Sequence, residues 1–556
     1  MTKGTRIGRA AALCVILALA LAGCVGIPNG GGVNQGPPVQ NGADSSFADL
    51  PLGPPHNASK TEMVNDFLQA ATSADGNYAI AKQFLTAKAA QKWDPTKSVL
   101  VRERPATPQD IGGNTVDYSV STNASVNALG VYVEQATDST QTLSYNFTKV
   151  AGQWRISDLP DGIVLSRTSF ENFFDAYPVY FFDPDYRYLV PDMRWFPAGV
   201  TVQDRIVSAL LAGPTGWLQQ GVVASAFPAG VQLGSPVAIR NSTATVDFTA
   251  NAASTKEPAL GRMLRQLEES LQSTNITNVA MTARGAPLPV PDSQQSHAIP
   301  ADAINSAPLL QKGKQFGFYL YPGLQSLGPI SVQIAGLNGS AATLDRAQSA
   351  AAVLAKGGVY LVTGSAPKLV DSRPDLIAPS IDTFGYVWSV PSSDASAIRV
   401  IGPDGAPHSI TSQLPVGATI VALDVSHDGT RVLAYLSTSA GPLLVVAGIV
   451  RRAGVPTGLG PLFDLPVSSA QPIDATWVDA STVAALGTDG GEDTVISYVV
   501  GGSPGDTSTT EGGVRLVAGN DTDTLRLLTG SGQVQQLRAS GWQNIGVVAS
   551  ILATQQ

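Results

Sequence analysis

The chain of 556 residues brings serine, histidine and aspartate side by side at Ser426-His427-Asp428-Gly429. Adjacent residues rarely form a catalytic triad, because nucleophile, base and orienting acid must meet at fixed hydrogen-bond geometry and usually come from distant segments. The same run fits a tight turn, in which Asp and Gly hold the bend and serine or histidine bonds locally to backbone. The G-x-S-x-G string at Gly501–Gly505 does not lead into a helix, as the strand-to-helix elbow of a serine hydrolase must. The four histidines, His56, His297, His408 and His427, show no ligand-like spacing, so a histidine metal site is not expected. Two acidic loops, Asp489-Gly-Gly-Glu-Asp493 and Asn520-Asp-Thr-Asp523, offer oxygens to a hard cation. Neither follows the calcium-loop pattern, and both read as solvated turns. Gly501-Gly-Ser-Pro-Gly505 does not lead into a helix, which removes a phosphate cradle. No catalytic set, cofactor or metal is expected.

The remaining reactive side chain is a cysteine near the start. Lys3, Arg6 and Arg9 precede an apolar run from Ala10 to Leu21, too short for a bilayer span of about 20 residues and therefore an export signal. Leu21-Ala22-Gly23-Cys24 resembles the bacterial lipobox, in which the cysteine thiol takes a diacylglycerol and cleavage makes it the mature N-terminus. Residues 1–23 then form a signal peptide and Cys24 is the lipidation site, anchoring the protein at the extracytoplasmic face of the cell membrane. A plain secretory peptide with an incidental cysteine is the bland alternative. Cys14 leaves with the signal and Cys24 is spent on lipid, so no thiol remains for a disulfide, a nucleophile or zinc. The formal charge is −9, and losing the three cationic residues of the leader lowers it further. An acidic chain without a basic patch is a poor nucleic-acid partner.

A chain of this length holds several cores of roughly 150 residues each. Residues 24–58 are rich in Gly, Pro, Asn and Ser and read as a flexible tether. Over 59–165, Ser59 with Glu62 is a capping-box pattern, and Met63, Val64, Phe67 and Leu68 follow helical spacing. Ala81, Phe84, Leu85 and Ala89 continue that period as a second helix, ended by Trp93-Asp94-Pro95. Alternation at Val116–Val120 and Leu143–Phe147, then Trp154 and Ile156, predicts antiparallel strands. The expectation is an α+β domain that resembles the nuclear-transport-factor-2-like kind, but without paired acid and histidine to use its pocket.

Over 166–305 a second α+β domain is expected. Val179–Val190 reads as strand, Asp-Pro-Asp turn and return strand, its aromatics forming one buried sheet face. Helices follow at Asp204–Leu211, stopped by Gly213-Pro214, and at Leu260–Leu271, with strands at Ala244–Phe248 and Val279–Met281. Pro287–Pro308 reads as a linker or exposed loop. Beyond it helix signals vanish, and residues 306–556 carry a weak repeat centred on Asp345, Asp382, Asp424 and Asp474. Their spacing is close to the ~40–50 residues of a four-stranded blade, so a β-propeller is expected, with its number of blades left open.

The assembled order resembles the actinobacterial lipoprotein LpqB family. The resemblance is carried by Phe84-Leu-Thr with Trp93-Asp-Pro, by Gly152-Gln-Trp-Arg-Ile-Ser-Asp-Leu-Pro-Asp-Gly162, by Val179-Tyr-Phe-Phe-Asp-Pro, and by Ala209-Leu-Leu-Ala-Gly-Pro214 with Ala226-Phe-Pro-Ala-Gly230. The middle region looks like a GerM-type domain. The resemblance implies a non-catalytic accessory protein that binds the extracytoplasmic part of an MtrB-like sensor histidine kinase and tunes two-component signalling over wall metabolism and division. The alternative expectation is an envelope protein that binds peptidoglycan or another wall polymer. An exported propeller hydrolase would need converging acids or histidines in the propeller channel, which the sequence does not display.

Overall fold

The computed structural model describes residues 52–556 apart from 200, 292–294, 302 and 540. The leader, Cys24 and most of the tether lie outside the described residues. The described residues form one compact unit.

The first helix, Lys60–Ala70, begins with the expected capping box: the Ser59 and Glu62 side chains each accept from the other's backbone N–H. The second helical stretch is broken in two, into Asp75–Lys82 and Ala87–Lys92. Between them Leu85 forms a parallel bridge to Ile156, and Thr86 caps the new helix. Sheet contact thus overrides the helical period of Phe84 and Leu85. The helices cover a curved sheet in the order Gln153–Asp158, Tyr132–Val150, Thr115–Asn127, Ser98–Arg102 and Ile163–Ser166. Met63, Val64, Phe67, Phe84 and Trp93 fill the space between.

In the middle domain, Phe174–Phe182 and Tyr188–Pro197 form an antiparallel pair around a turn in which Asp183 accepts from the N–H groups of Asp185, Arg187 and Tyr188. Val179, Phe181 and Phe182 are buried, so these aromatics are core. Helix Ala259–Gln272 presents Met263, Leu267 and Leu271 inward. Leu260 and Leu264 pack at its margin, while Gln266 is fully buried because it bonds the backbone of Tyr180 and Ala226. Thr243–Phe248 pairs in parallel with Asn278–Ala283. The proline-rich stretch that follows is partly built into the fold: Ile299–Pro300 pairs with Tyr188 and Leu189, and Ile304 is clasped by Asn520.

The C-terminal region is a six-bladed propeller. Its innermost strands, in contact around the ring, are Ala341–Leu344, Ser380–Ile381, Thr419–Val425, Gln471–Trp477, Gly513–Val517 and Ile551–Gln555. The last belongs to the blade begun by Leu309–Lys312, Gln315–Leu320 and Gly323–Gln325, and it also pairs in parallel with Ala341–Leu344. A strand from the far end of the chain therefore completes the first blade and closes the ring. One helix, Pro329–Leu337, interrupts the expected all-strand region. Its proline at the start, Ile330 and Ile334 one turn apart, and Asn338 in the left-handed conformation at its end are ordinary helix signals within an apolar run that also reads as strand.

The repeat aspartates do not occupy equivalent places. Asp345 and Asp382 sit in the turn after the innermost strand and accept backbone N–H groups there. In the next two blades that role falls to Asp428 and Asp479. Asp424 and Asp474 lie within innermost strands and bond the following blade: Asp424 accepts from the N–H of Trp477 at 3.1 Å, and Asp474 from that of Leu516 at 2.7 Å. Insertions of a few residues had brought two different structural positions to similar spacing.

Candidate functional site

A propeller leaves an axial channel between its innermost strands. Where those strands begin, the channel opens into a cavity of about 790 Å³ bordered by Ser340, Ile377, Val421, Ile473 and Val514, with Thr529–Gly532 on one wall. Arg515 and Asp474 lie at its side, paired at 3.2 Å, and Arg515 also donates to Thr554. Deeper along the axis, Gln556 donates to Ser380 Oγ and Val425 O, and Thr343 donates to Pro379 O. These bonds knit adjacent blades around the axis. Burial pushes the Asp424 and Asp474 carboxyls above the ordinary carboxylate range, against the pull of Arg515 and the donated backbone N–H groups. Val514 and Val548 line the mouth and stay exposed.

The opposite side of the ring, where the innermost strands end, carries the middle domain. Arg187 and Tyr188 pack against Phe384, with the guanidinium 4.3 Å from the ring centroid. Trp195 Nε1 donates to Gly501 O at 2.9 Å. Trp217, Leu218 and Val222 join the core between the fourth and fifth blades, together with Tyr435 and Trp477. Gly448 allows this approach, since a Cβ there would lie 2.4 Å from Val222 Cγ1. The N-terminal domain is held in turn by Trp195, which packs on Tyr132 and Phe170, and by Arg194 donating to Leu129 O.

Ser426, His427 and Asp428 sit near this junction and do not form a relay. Ser426 Oγ donates to Asp428 Oδ1 at 2.6 Å, bypassing the imidazole, while Asp428 also takes Thr430 N–H and the Arg431 guanidinium. Asp428 is held below the ordinary carboxylate range: burial opposes this, but Arg431 and the hydroxyl donors outweigh it. Burial, aided by Arg346, drops His427 to about 4. The trio is a turn that locks the blade, with Arg431 lying over Trp477. Of the acidic loops, Asp489–Glu492 is a hairpin end, whereas Asn520 clasps Ile304 and Asp521 caps the short turn after it. Among the described residues, no three His, Cys, Asp or Glu side chains converge as a metal site would require. No described helix is long and apolar enough to cross a membrane.

Sequence reasoning named no residue of the axial pocket as a binding group. Gly and Ser beside short strands are the only local signal, and the ring must close before they face one another.

Two α+β domains packed onto a six-bladed ring with one open axial pocket define a multidomain β-propeller protein. Three family models match in succession: the N-terminal domain of lipoprotein LpqB over residues 53–171, the sporulation and spore germination domain over 178–289, and the LpqB beta-propeller domain over 325–550. The lipoprotein LpqB of Thermobifida fusca is 25% identical over 93% of this chain and 95% of its own length. That of Cutibacterium acnes is 26% identical over 87% and 88%. Among solved structures, the first GerMN domain of the sporulation protein GerM from Bacillus subtilis is 18% identical over 22% of this chain and 98% of its own, with a TM-score of 0.19. The chain belongs to the LpqB lipoprotein family, and membership implies a membrane-anchored lipoprotein.

Proposed function

We propose that this protein is a non-catalytic accessory lipoprotein, anchored through Cys24 at the extracytoplasmic face, that binds the extracytoplasmic part of an MtrB-like sensor histidine kinase. Through that contact it modulates two-component signalling in cell-wall homeostasis and division. The observation that carries the reading is the open mouth of the propeller on the side away from the middle domain. With the opposite side occupied, this mouth is a preformed concave surface with exposed Val514 and Val548 at its edge. Rigid, partly apolar concavities favour binding because little conformational entropy is lost on association.

The test is affinity capture of the lipidated protein from native envelopes, with Cys24→Ala as the tethering control, followed by direct binding to the isolated kinase ectodomain. Retention of that ectodomain, weakened by Val514→Asp or Val548→Asp, is expected. Recovery of wall polymer without kinase would overturn the reading.

Wall-polymer binding is the second reading, favoured by a groove of about 520 Å³ between the fifth and sixth blades. There Trp542 lies beside Thr509, Thr510, Gln535, Glu492 and Glu511, an aromatic with hydroxyl, amide and carboxylate groups suited to a sugar face. Pull-down with sheared wall in the absence of kinase separates the two, since kinase binding alone gives no retention.

A further inference from the structure

A separate pocket of about 400 Å³ lies in the N-terminal domain, between helix Lys60–Ala70 and the sheet. It is independent of the propeller mouth and of the kinase reading. Its polar lining includes Asn65 and Gln69 from the helix, Arg102 at the end of strand Ser98–Arg102, and Tyr118 from the neighbouring strand. Leu68, Ala106 and Val164 supply the apolar part.

The charge in this pocket is uncompensated. Arg102 is half-buried, and among the described residues its guanidinium has neither an ion-pair partner nor a hydrogen-bond acceptor. The nearby acids are engaged or turned elsewhere: Glu103 meets Arg104 and Ser121, and Asp110 meets Lys60. Asp66, on the same helix, is not part of the lining. The ladder is irregular at this point, because Val101 pairs with Ala124 and Arg102 with Thr122, skipping Asn123. Bulges of this kind re-aim side chains at the edges of sites. Tyr118 is 2% exposed, its hydroxyl has no protein hydrogen-bond partner among the described residues, and the Arg102 charge opposes the upward push that burial gives its pKa. A fork of five donors, a phenol and two side-chain amides thus converge on one cavity without partners of their own.

A partly desolvated guanidinium is best matched by a planar carboxylate, which accepts two parallel hydrogen bonds. The Asn65 and Gln69 amides each offer a donor and an acceptor, as a peptide unit requires, and the small apolar lining suits short aliphatic side chains. We infer that this pocket binds the free C-terminal carboxylate of a short peptide with small side chains, with Arg102 holding the carboxylate and Asn65 and Gln69 the preceding amide.

The experiment uses the complete mature chain with Cys24→Ala for solubility, titrated with N-acetyl-Ala-Ala as the free acid and as the C-terminal amide. Calorimetry or ligand-observed NMR should show the acid binding at least about tenfold more tightly than the amide, the loss expected when a charge-assisted pair is removed. Arg102→Gln should erase that preference, Arg102→Lys should restore part of it, and Tyr118→Phe should weaken the acid alone. An unchanged melting temperature in Arg102→Gln separates lost binding from lost fold. Equal binding of acid and amide, binding of neither, or inorganic phosphate displacing the acid at comparable concentration would each overturn the assignment.

Discussion

Replacing Asp424 distinguishes a structural acceptor from a structural charge. The carboxylate is buried within an innermost strand and accepts from Trp477 N–H, Thr476 Oγ1 and Ser380 Oγ at 3.0–3.3 Å, joining three blades. Asp424→Ala leaves the Trp477 N–H and the Ser380 hydroxyl without an acceptor, while Thr476 keeps Trp477 O at 3.4 Å, at roughly 1–3 kcal/mol for each lost partner. The expected loss of about 2–6 kcal/mol is a large part of the 5–15 kcal/mol that typically holds a domain folded. Asp424→Asn keeps an oxygen acceptor while removing the charge. Because burial raises the folded pKa of this acid above its unfolded value, its favourable linkage is fully present below the unfolded pKa and is lost as pH rises through the folded one. As pH rises through that folded pKa the wild type loses this stabilisation while Asn does not, so Asn should gain on wild type and come within about 1 kcal/mol of it or exceed it. Its advantage should shrink as pH falls. Urea midpoints at several pH values for the three proteins measure both effects. An Asn variant as damaged as Ala at every pH would refute the reasoning and show that the charge itself holds the ring.

His427 gives the opposite slope: its folded pKa of about 4 lies below the ordinary 6.5, so the unfolded chain protonates first. About 3 kcal/mol should disappear as pH falls from 6.5 to 4, at 1.36 kcal/mol per unit, and His427→Asn should remove that part of the dependence in denaturation curves. Leu552→Ala in the closing strand, where the side chain is 1% exposed, should cost about 2–5 kcal/mol. Deleting residues 551–556 should open the ring and expose two unpaired strand edges to proteolysis between the first and second blades; equal protease resistance would refute closure by this strand. Gly448→Ala should cost about 1–3 kcal/mol by pressing on Val222, and a Val222→Ala background should recover much of that loss in melting temperature.

Local patterns made much of the architecture legible. Ser59 and Glu62 marked a helix start because a capping box acts within four residues, and Asp183-Pro-Asp marked a hairpin because its bonds are equally local. The heptad-like leucines of Ala259–Gln272 announced an amphipathic helix, although Gln266 and Ser270 were placed inside only by their bonds to Tyr180. Alternating apolar residues and turn signals likewise exposed the blades.

Tertiary structure decided what depends on distant partners. Leu85 left its helix because Ile156 offered a bridge, and the aspartates at 424 and 474 became seams between blades rather than turn residues because Trp477 and Leu516 present N–H groups to them. Blade number was hidden because the sixth innermost strand comes from residues 551–555, more than 200 residues from the strands it completes. Arg102 gave no signal as a binding group, since a lone arginine at a strand end is ordinary until helix, sheet and Tyr118 enclose it. The sequence by itself determined the type of most elements and the repeat, set by short-range sterics, hydrogen bonds and hydrophobic period. Only the closed ring and packed domains, whose contacts span hundreds of residues, decided which side chains face a common cavity.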